Sequence, residues 1–220
     1  MIQALLFDLD NTLYPASERM EDDIIQRMND YTARLTGLSV EAAIALRRER
    51  MPAYGTTLEW LMAEYGFNDP DAYFAYVHPE GEEEALNPDP ELGPFLDSLP
   101  QHKYIFTNAP MEHAERVLRR LLIEGKFRII FDIRFNGLRG KPHRAAIDRV
   151  LAAVHGDCGA GPDETLFIDD VPRYVQGFKE RGGHGLLIDQ DGRHGSTGLP
   201  TIRLLPELGP LLHTMAKESA

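Results

Sequence analysis

Short runs of apolar residues recur along the chain and are separated by longer stretches that mix polar and apolar positions. Each run is continuous rather than alternating, which is typical of strands buried on both faces of a sheet. The runs are residues 4–7, 104–106, 129–131, 166–168, 186–188 and 202–205. The pattern therefore predicts six buried strands.

Patterns typical of amphipathic helices lie between the later runs, in residues 110–124, 142–155 and 172–182. Each of these stretches opens with a proline, which is favoured in the first turn of a helix. The first pattern counts Leu122 among its apolar positions. Strands that alternate with helices pair in parallel and are joined by right-handed crossovers. The chain is therefore expected to be an α/β protein with a doubly wound parallel sheet.

Residues 16–89 interrupt this alternation. They carry several helical patterns, such as those in residues 24–35, 40–51, 56–65 and 71–77. We therefore predict a helical cap inserted after the first strand, spanning residues 16–89, and a core formed by residues 1–15 and 90–220.

The return path from the cap, residues 79–93, is rich in proline, glycine and glutamate and lacks periodicity. This composition is typical of a linker. Its run of three acids, Glu82, Glu83 and Glu84, could be offered as a metal site. A solvated charged loop is the expectation for such a run.

Acids and hydroxyl or amide side chains follow three of the predicted strands. They are Asp8 and Asp10 after the first strand, Thr107 and Asn108 after the second, and Asp169 and Asp170 after the fourth. In open α/β sheets, ligands bind beyond the carboxyl ends of the strands, so these groups are expected to converge on one crevice. The stretch after the first strand, Asp-Asn-Thr, also suits a simple turn.

Four carboxylates in one crevice repel one another strongly. Two like charges about 4 Å apart repel by roughly 4 kcal/mol at an effective dielectric near 20. A cation, a bound proton or a bend in the chain must relieve that repulsion. Oxygen ligands select a hard ion, and Mg²⁺ is the expected one. A single cysteine and scattered histidines argue against zinc.

One basic residue completes the set. Lys141 stands just before the proline that opens the second later helix, where its ammonium and the amino end of that helix can both face an anion. A solvated surface lysine is the alternative. The ordered set of Asp-x-Asp-x-Thr, a threonine after a strand, Lys-Pro and Asp-Asp after a strand favours a functional role.

Composition and charge exclude several kinds of partner. The 220 residues, 43% hydrophobic and 26% charged, suit one ample core or a core with an inserted subdomain. A net charge of -12 repels phosphate backbones and anionic membrane surfaces, and no apolar run approaches the length that spans a bilayer. With one cysteine, Cys158, and no secretion signal before Ile2, a reducing cytoplasm is expected. The oligomeric state stays open.

The chain resembles the haloacid-dehalogenase-like superfamily of phosphohydrolases over essentially its whole length. The four motifs of that superfamily correspond to DLDNT at 8–12, FTN at 106–108, GKP at 140–142 and IDD at 168–170. The resemblance implies a Rossmann-like core with a helical cap after the first strand. The stretches FDLDNTLYP, YGTTL, YVHPE and IFTNAPMEHAERVL are similar to those of the pyrimidine 5′-nucleotidase branch.

The resemblance, together with the placement of charge, implies a phosphatase mechanism. Asp8 would attack phosphorus and form an aspartyl-phosphate. Asp10 would protonate the leaving alkoxide and later take a proton from the attacking water. The implied ligands of Mg²⁺ are Asp8, the backbone carbonyl of Asp10 and Asp169, and Asp170 would hold a metal-bound water or join the coordination shell. The implied phosphate-binding residues are Thr107, Asn108 and Lys141.

Two features separate this chain from other members of the superfamily. Carbon–halogen hydrolysis makes no alkoxide, and dehalogenases do not keep an acid at the position of Asp10, so a phosphatase or phosphomutase is favoured. Val171 and Tyr174 stand where relatives often place serine and asparagine. Hydrogen bonding around the metal is therefore expected to differ.

The expected substrate is a small phosphorylated metabolite, namely a pyrimidine nucleoside 5′-monophosphate. Seven aromatic residues lie between residues 54 and 77, and most are expected to fill the core of the cap. Tyr54 and Tyr76, beside turn-like neighbours, are the candidates for facing the crevice. Sugar phosphates, or a catalytically silent phosphate-binding protein, are the alternatives. A phosphoryl-receiving signalling domain would carry its acidic pair and its phosphorylated acid in the opposite order.

Overall fold

A sheet of six short strands, all parallel, lies at the centre of the protein. The computed structural model describes residues 1–15 and 19–218. The strands are β1 (Ala4–Phe7), β2 (His102–Phe106), β3 (Ile129–Phe131), β4 (Thr165–Asp169), β5 (His184–Ile188) and β6 (Thr201–Ile202). Their order across the sheet is β3-β2-β1-β4-β5-β6, and every neighbouring pair is parallel. The predicted Rossmann-like α/β fold is confirmed.

The continuous apolar runs arise because both faces of the sheet are covered. In β1, Leu5 and Phe7 pack into one hydrophobic cluster, and Ala4 and Leu6 pack into another. All four side chains are fully buried. Successive strand residues point to opposite faces, so a strand with two covered faces must be apolar at every position.

Nine helices are found among the described residues. They are α1 (Met20–Thr36), α2 (Val40–Arg50), α3 (Thr57–Tyr65), α4 (Pro70–Val77), α5 (Leu92–Ser98), α6 (Met111–Arg120), α7 (Arg144–Cys158), α8 (Pro172–Lys179) and α9 (Leu208–Glu218). Ser39, Thr56 and Asp69 cap α2, α3 and α4, since each side chain accepts a backbone N–H of the first turn. None of the helices in this described part is long and apolar enough to cross a membrane.

Helices α1 to α4 occupy the stretch for which a helical insertion is predicted. Their aromatic residues pack mainly on one another: the ring of Tyr31 lies 5.2 to 5.7 Å from those of Phe67, Tyr73 and Tyr76. Aromatic stacking of this kind supplies a small helical layer with its own core. The boundary expected between residues 15 and 16 adjoins residues outside the described ranges, and the division into core and cap stays a prediction.

Two element ends differ from the sequence pattern. The sixth strand ends at Ile202 rather than residue 205, because a Glu207 carboxylate oxygen accepts the backbone N–H groups of Arg203 and Leu204 and starts a 3₁₀ helix. Helix α6 ends at Arg120, before the predicted residue 124. Leu122 takes a left-handed conformation with φ of 61° and is 64% exposed, so its place in the apolar pattern was wrong.

Candidate active site

Side chains from three neighbouring strands meet at the carboxyl edge of the sheet. Phe7 in β1 is in register with Ile105 in β2 and with Ile168 in β4. The residues that follow, including Asp8 and Asp169, therefore leave the sheet at the same level. Asp8 and Asp170 border a cavity of about 320 Å³ that lies between this edge and the helices of the insertion.

The ammonium of Lys141 links two of the acids. Its Nζ lies 2.7 Å from Asp8 Oδ1 and 2.6 Å from Asp169 Oδ2, and the residue is only 1% exposed. Burial alone would lower the pKa of Lys141, but the carboxylates of Asp169 and Asp8 outweigh it and raise that pKa. The rings of Phe106, Phe167 and Tyr174 surround the ammonium at 5.2 to 5.4 Å. The lysine is a fixed buried cation, and the alternative of a solvated surface lysine is wrong.

Three acids form one cluster around this lysine. Oxygen atoms of Asp8, Asp169 and Asp170 lie within 4.8 Å of one another. Burial raises the pKa of Asp8 and, together with the charge of Asp169, raises the pKa of Asp170 to about 7. The buried Lys141 ammonium and the half-exposed Arg193 guanidinium, which lies 3.8 Å from Asp170 Oδ2, do not balance three carboxylates. An all-oxygen donor set with surplus negative charge fits Mg²⁺, and binding the ion would displace protons from the cluster.

The carboxylate of Asp10 is turned away from this cluster. The chain bends after Leu9, and Asn11 takes a left-handed conformation with φ of 58°. Asp10 Oδ1 accepts hydrogen bonds from the Tyr14 hydroxyl at 2.6 Å and from His113 Nε2 at 2.8 Å. Burial opposes ionisation, but His113 and then Tyr14 outweigh it and lower the pKa of Asp10 to about 2. A bend therefore relieves the repulsion between the two acids, and each has its own surroundings.

Thr107 and Asn108 follow β2 and border the cavity, but their side chains differ in what they contact. Thr107 Oγ1 accepts the backbone N–H of Ala109 at 3.0 Å, which leaves its hydroxyl proton available. The Asn108 amide instead holds the backbone of Lys141: Oδ1 accepts its N–H at 2.8 Å and Nδ2 donates to its carbonyl at 3.0 Å. A Cβ at Gly140 would overlap Asn108 Oδ1. Asn108 thus positions Lys141, and a contact of its amide with phosphate stays a prediction.

Val171 and Tyr174, which stand where relatives often place serine and asparagine, both form hydrogen bonds at the site. The backbone N–H of Val171 donates to Asp169 Oδ1 at 2.7 Å, so a backbone group fixes this carboxylate. The Tyr174 hydroxyl donates to the carbonyl of Gly55 at 3.3 Å and accepts from Asn108 Nδ2 at 3.4 Å. Tyr174 therefore connects the sheet edge to the loop before α3.

The helical insertion contributes a mixed wall to the cavity. Tyr73 and Phe74 border it together with Arg47. Tyr54 and Tyr76, the expected candidates, are absent from the described residues that line it. The expectation that these two tyrosines face the crevice is therefore not met.

Local packing explains where the two tyrosines lie. The Tyr54 hydroxyl donates to Glu64 Oε1 at 3.0 Å. The ring of Tyr76 packs on Tyr31, and the Arg34 guanidinium lies over it at 4.7 Å. Both rings are therefore engaged within the helical layer.

Gly55 and Glu59 are site neighbours that sequence reasoning missed. A Cβ on Gly55 would come 2.9 Å from the carbonyl oxygen of Lys141, so only glycine allows this close approach. Glu59 Oε2 accepts the Gly55 N–H at 2.8 Å and lies 2.7 Å from His143 Nε2. The stretch YGTTL contains Gly55, but the sequence does not indicate that this glycine packs against the backbone of Lys141.

Glu82 corrects the expectation of a solvated acidic loop. It lies in a 3₁₀ helix, Glu82–Ala85, and its side chain is 1% exposed. Its Oε1 lies 2.6 Å from His113 Nδ1 and 3.2 Å from His78 Nδ1. Arg27 and Arg116 donate to the same carboxylate at 2.7 and 3.2 Å.

The grouping of His78, Glu82 and His113 has a spacing that metal sites also show. Two guanidinium groups already neutralise Glu82, and both ring nitrogens of His113 are engaged by carboxylates. An added divalent cation would lie next to two guanidinium groups that repel it. The contacts instead form a hydrogen-bonded support for Asp10.

A sequence model of the haloacid dehalogenase-like hydrolases matches residues 2–182. The chain belongs to this family. The resemblance drawn from the four motifs is thereby confirmed, while the pyrimidine 5′-nucleotidase branch stays a prediction.

Solved structures of haloacid dehalogenase-like hydrolases share the fold over nearly the whole chain. The HAD-hydrolase YfnB of Bacillus subtilis, bound to magnesium, is 20% identical with a TM-score of 0.64, covering 96% of this chain and 98% of its own. A HAD phosphatase of Thermococcus onnurineus is 21% identical with a TM-score of 0.59, covering 96% and 98%. The L-2-haloacid dehalogenase of Xanthobacter autotrophicus, with chloropropionic acid covalently bound, is 18% identical with a TM-score of 0.59, covering 98% and 100%.

These haloacid dehalogenase-like hydrolases include both a phosphatase and a dehalogenase. The shared fold therefore does not choose between a phosphate ester and a carbon–halogen bond. The choice depends on the side chains around the cavity.

Proposed function

We propose that this hydrolase cleaves phosphate monoesters with the help of Mg²⁺, through an aspartyl-phosphate on Asp8. One observation carries the proposal: Asp10 presents a second carboxylate to the same cavity, yet is held outside the acid cluster by Tyr14 and His113. A phosphate ester needs both a nucleophile and a separate proton donor for its leaving oxygen.

In the first step, an oxygen of Asp8 forms a bond to phosphorus while the ester P–O bond breaks. Lys141, fixed between Asp8 and Asp169, neutralises the transferring group, and the Thr107 hydroxyl donates to a phosphate oxygen. Asp10 gives the leaving oxygen its proton. In the first turnover that proton arrives with the substrate, since phosphate monoesters lose their second proton only near a pKa of about 6 and bind in part as monoanions. In later turnovers it is the proton that Asp10 took from water in the preceding second step.

In the second step, water attacks the phosphorus of the aspartyl-phosphate and the P–O bond to Asp8 breaks. Asp10, now ionised, takes the proton of the water, and inorganic phosphate leaves. Asp8, Asp169 and Asp170, with the backbone carbonyl of Asp10, would hold Mg²⁺. The ion supplies positive charge to the phosphate oxygens and a template for their orientation.

The placement of Asp10 argues against dehalogenation. A departing halide needs no proton, so an acid that protonates the leaving group would have no part in the first step of that reaction. A phosphomutase, or a phosphatase for sugar phosphates, would use the same residues and is the second candidate. The residues that the inserted helices contribute to the cavity wall help to choose between these substrates.

A nucleotide with a pyrimidine base is the substrate that we favour. The guanidinium of Arg47 borders the cavity and is held by Thr57 Oγ1 at 2.8 Å and by Asn29 Oδ1 at 3.1 Å. No carboxylate forms an ion pair with it within residues 1–15 and 19–218. A guanidinium without a counter-charge suits the carbonyl oxygens of uracil or cytosine, and Tyr73 and Phe74 offer apolar surface to the ring.

Metal dependence provides the first test. Phosphate release from para-nitrophenyl phosphate is expected with Mg²⁺ and is expected to disappear when a chelator is added and return with excess Mg²⁺. Halide release from 2-chloropropionate is the control reaction and is expected to be absent. Metal-independent phosphate release, or measurable dehalogenation, would contradict the proposal.

A nucleotide screen tests the substrate. UMP and CMP are expected to exceed AMP, GMP and ribose 5-phosphate in kcat/KM, because a small base suits a cavity of about 320 Å³ with a donor in its wall. Arg47→Met is expected to reduce the preference for UMP over ribose 5-phosphate. Equal or better activity on purine nucleotides or ribose 5-phosphate would rule out the pyrimidine assignment while leaving the phosphatase chemistry untouched.

A further inference from the structure

A chain of hydrogen bonds runs from the Asp10 carboxylate into the interior. Both hydrogen bonds that described residues give to this carboxylate, from Tyr14 and His113, end on Oδ1. Oδ2 accepts no hydrogen bond from the described residues, and Asp10 borders the cavity. The two oxygens of the Asp10 carboxylate therefore have different surroundings, because Oδ1 accepts both hydrogen bonds.

The imidazole of His113 is held in place through Nδ1, the ring nitrogen that faces away from Asp10. The residue is fully buried in α6, and its Nδ1 lies 2.6 Å from Glu82 Oε1. Because a carboxylate lies at each ring nitrogen, both nitrogens are donors: Nδ1 donates to Glu82 Oε1 and Nε2 donates to Asp10 Oδ1. The ring of His78 packs on His113 at 4.4 Å and limits its rotation.

Glu82 is itself immobilised by groups from two other helices. Arg27 in α1 donates to Oε2 at 2.7 Å and Arg116 in α6 donates to Oε1 at 3.2 Å. A carboxylate held by two guanidinium groups stays ionised and keeps its orientation. Three helical segments, α1, α6 and the 3₁₀ helix Glu82–Ala85, therefore converge on the position of one imidazole nitrogen.

We propose that His113, oriented by Glu82, is a positioning residue that holds Asp10 Oδ1 so that Oδ2 meets the leaving oxygen of the substrate. This inference rests on the proposed phosphatase function. It assigns a role in the proton transfer of Asp10 and none in the attack by Asp8. A loss of His113 should therefore matter most for esters whose leaving group needs a proton.

Two aryl phosphates separate these roles. Para-nitrophenolate leaves with little need of a proton, whereas phenolate from phenyl phosphate needs one. The quantity to measure is kcat/KM, which reports the steps up to the first irreversible one, the formation of the aspartyl-phosphate. His113→Asn, which keeps a donor near Nδ1 but not near Nε2, is expected to lower kcat/KM about 30-fold for phenyl phosphate and by no more than about threefold for para-nitrophenyl phosphate.

Two further variants test the same contact. His113→Gln places an amide donor near Nε2 and is expected to restore kcat/KM for phenyl phosphate to within about fivefold of wild type. Tyr14→Phe keeps the ring and removes only the other donor to Oδ1. It is expected to show the same selective loss for phenyl phosphate, and it decides the question if His113→Asn fails to fold.

The outcomes distinguish this inference from the proposed function. Wild-type protein that releases no phosphate from either ester overturns both. Wild-type activity combined with equal losses on the two esters in His113→Asn and Tyr14→Phe overturns the positioning role alone, because a merely structural defect does not depend on the leaving group. Unchanged kcat/KM in these variants overturns it as well.

Discussion

Asp8→Asn is expected to abolish phosphate release, by on the order of 10⁴-fold or more, while the protein stays folded. The amide cannot form the acyl phosphate on which both steps depend. It also removes one negative charge from a buried cluster in which burial already raises the pKa of Asp8. The metal-free variant is therefore expected to be at least as stable as wild type. Steady-state rates with Mg²⁺ and urea unfolding with a chelator measure the two effects.

Asp132→Asn is the matched control for this substitution. Asp132 is also a buried acid that follows a strand, but its oxygens accept the backbone N–H groups of Met111 at 3.1 Å and Phe135 at 2.8 Å. Its replacement is expected to lower stability without a comparable loss of rate. Near wild-type turnover in Asp8→Asn would mean that the nucleophile is elsewhere.

Lys141→Met is expected to destabilise the protein by about 3–5 kcal/mol in the absence of metal and to abolish turnover. Without the ammonium, the buried carboxylates of Asp8 and Asp169 have lost the cation that lies 2.6 to 2.7 Å away in the native site. Added Mg²⁺ is expected to recover part of the stability, because the ion replaces the missing positive charge.

The pH dependence of this defect has a definite sign. Burial raises the pKa values of Asp8 and Asp169 in the folded state above their unfolded values, so the folded state binds protons more readily. The stability deficit of Lys141→Met should therefore shrink as the pH falls from neutral to mildly acidic. Urea unfolding of variant and wild type at both pH values, with a chelator present, gives the difference. A deficit that does not change with pH would show that uncompensated carboxylates are not its cause.

The sheet and the centre of the site could be predicted because both depend on local sequence. A strand covered on both faces must be apolar throughout, and parallel register then brings its last residues to the same edge. Asp8 and Asp169 meet for this reason. Lys141 reaches them from the loop between β3 and α7, where Asn108 holds its backbone. Asp170 joins them because it directly follows β4.

Other parts of the site could not be predicted because their contacts join distant segments. Glu82 meets His113 across 31 positions, and His113 meets Asp10 across 103. A run of glutamates is usually solvated, and the burial of Glu82 is tolerable because two histidines and two arginines surround its carboxylate. Tyr54 was misplaced for a similar reason: its turn-like neighbours do not reveal that Glu64 binds its hydroxyl.

Two hydrogen bonds between the Asn108 side chain and the Lys141 backbone hold the FTN and GKP motifs together as one rigid unit. The amide side chain joins the end of β2 to the loop that carries the ammonium, and Gly140 has no side-chain atom that would separate them. The position of the Lys141 ammonium is therefore set by Asn108, a residue that carries no charge. A methyl group added at Gly140 would displace the Asn108 side chain and thereby move the ammonium away from the acids. The methyl group itself would touch neither acid nor substrate.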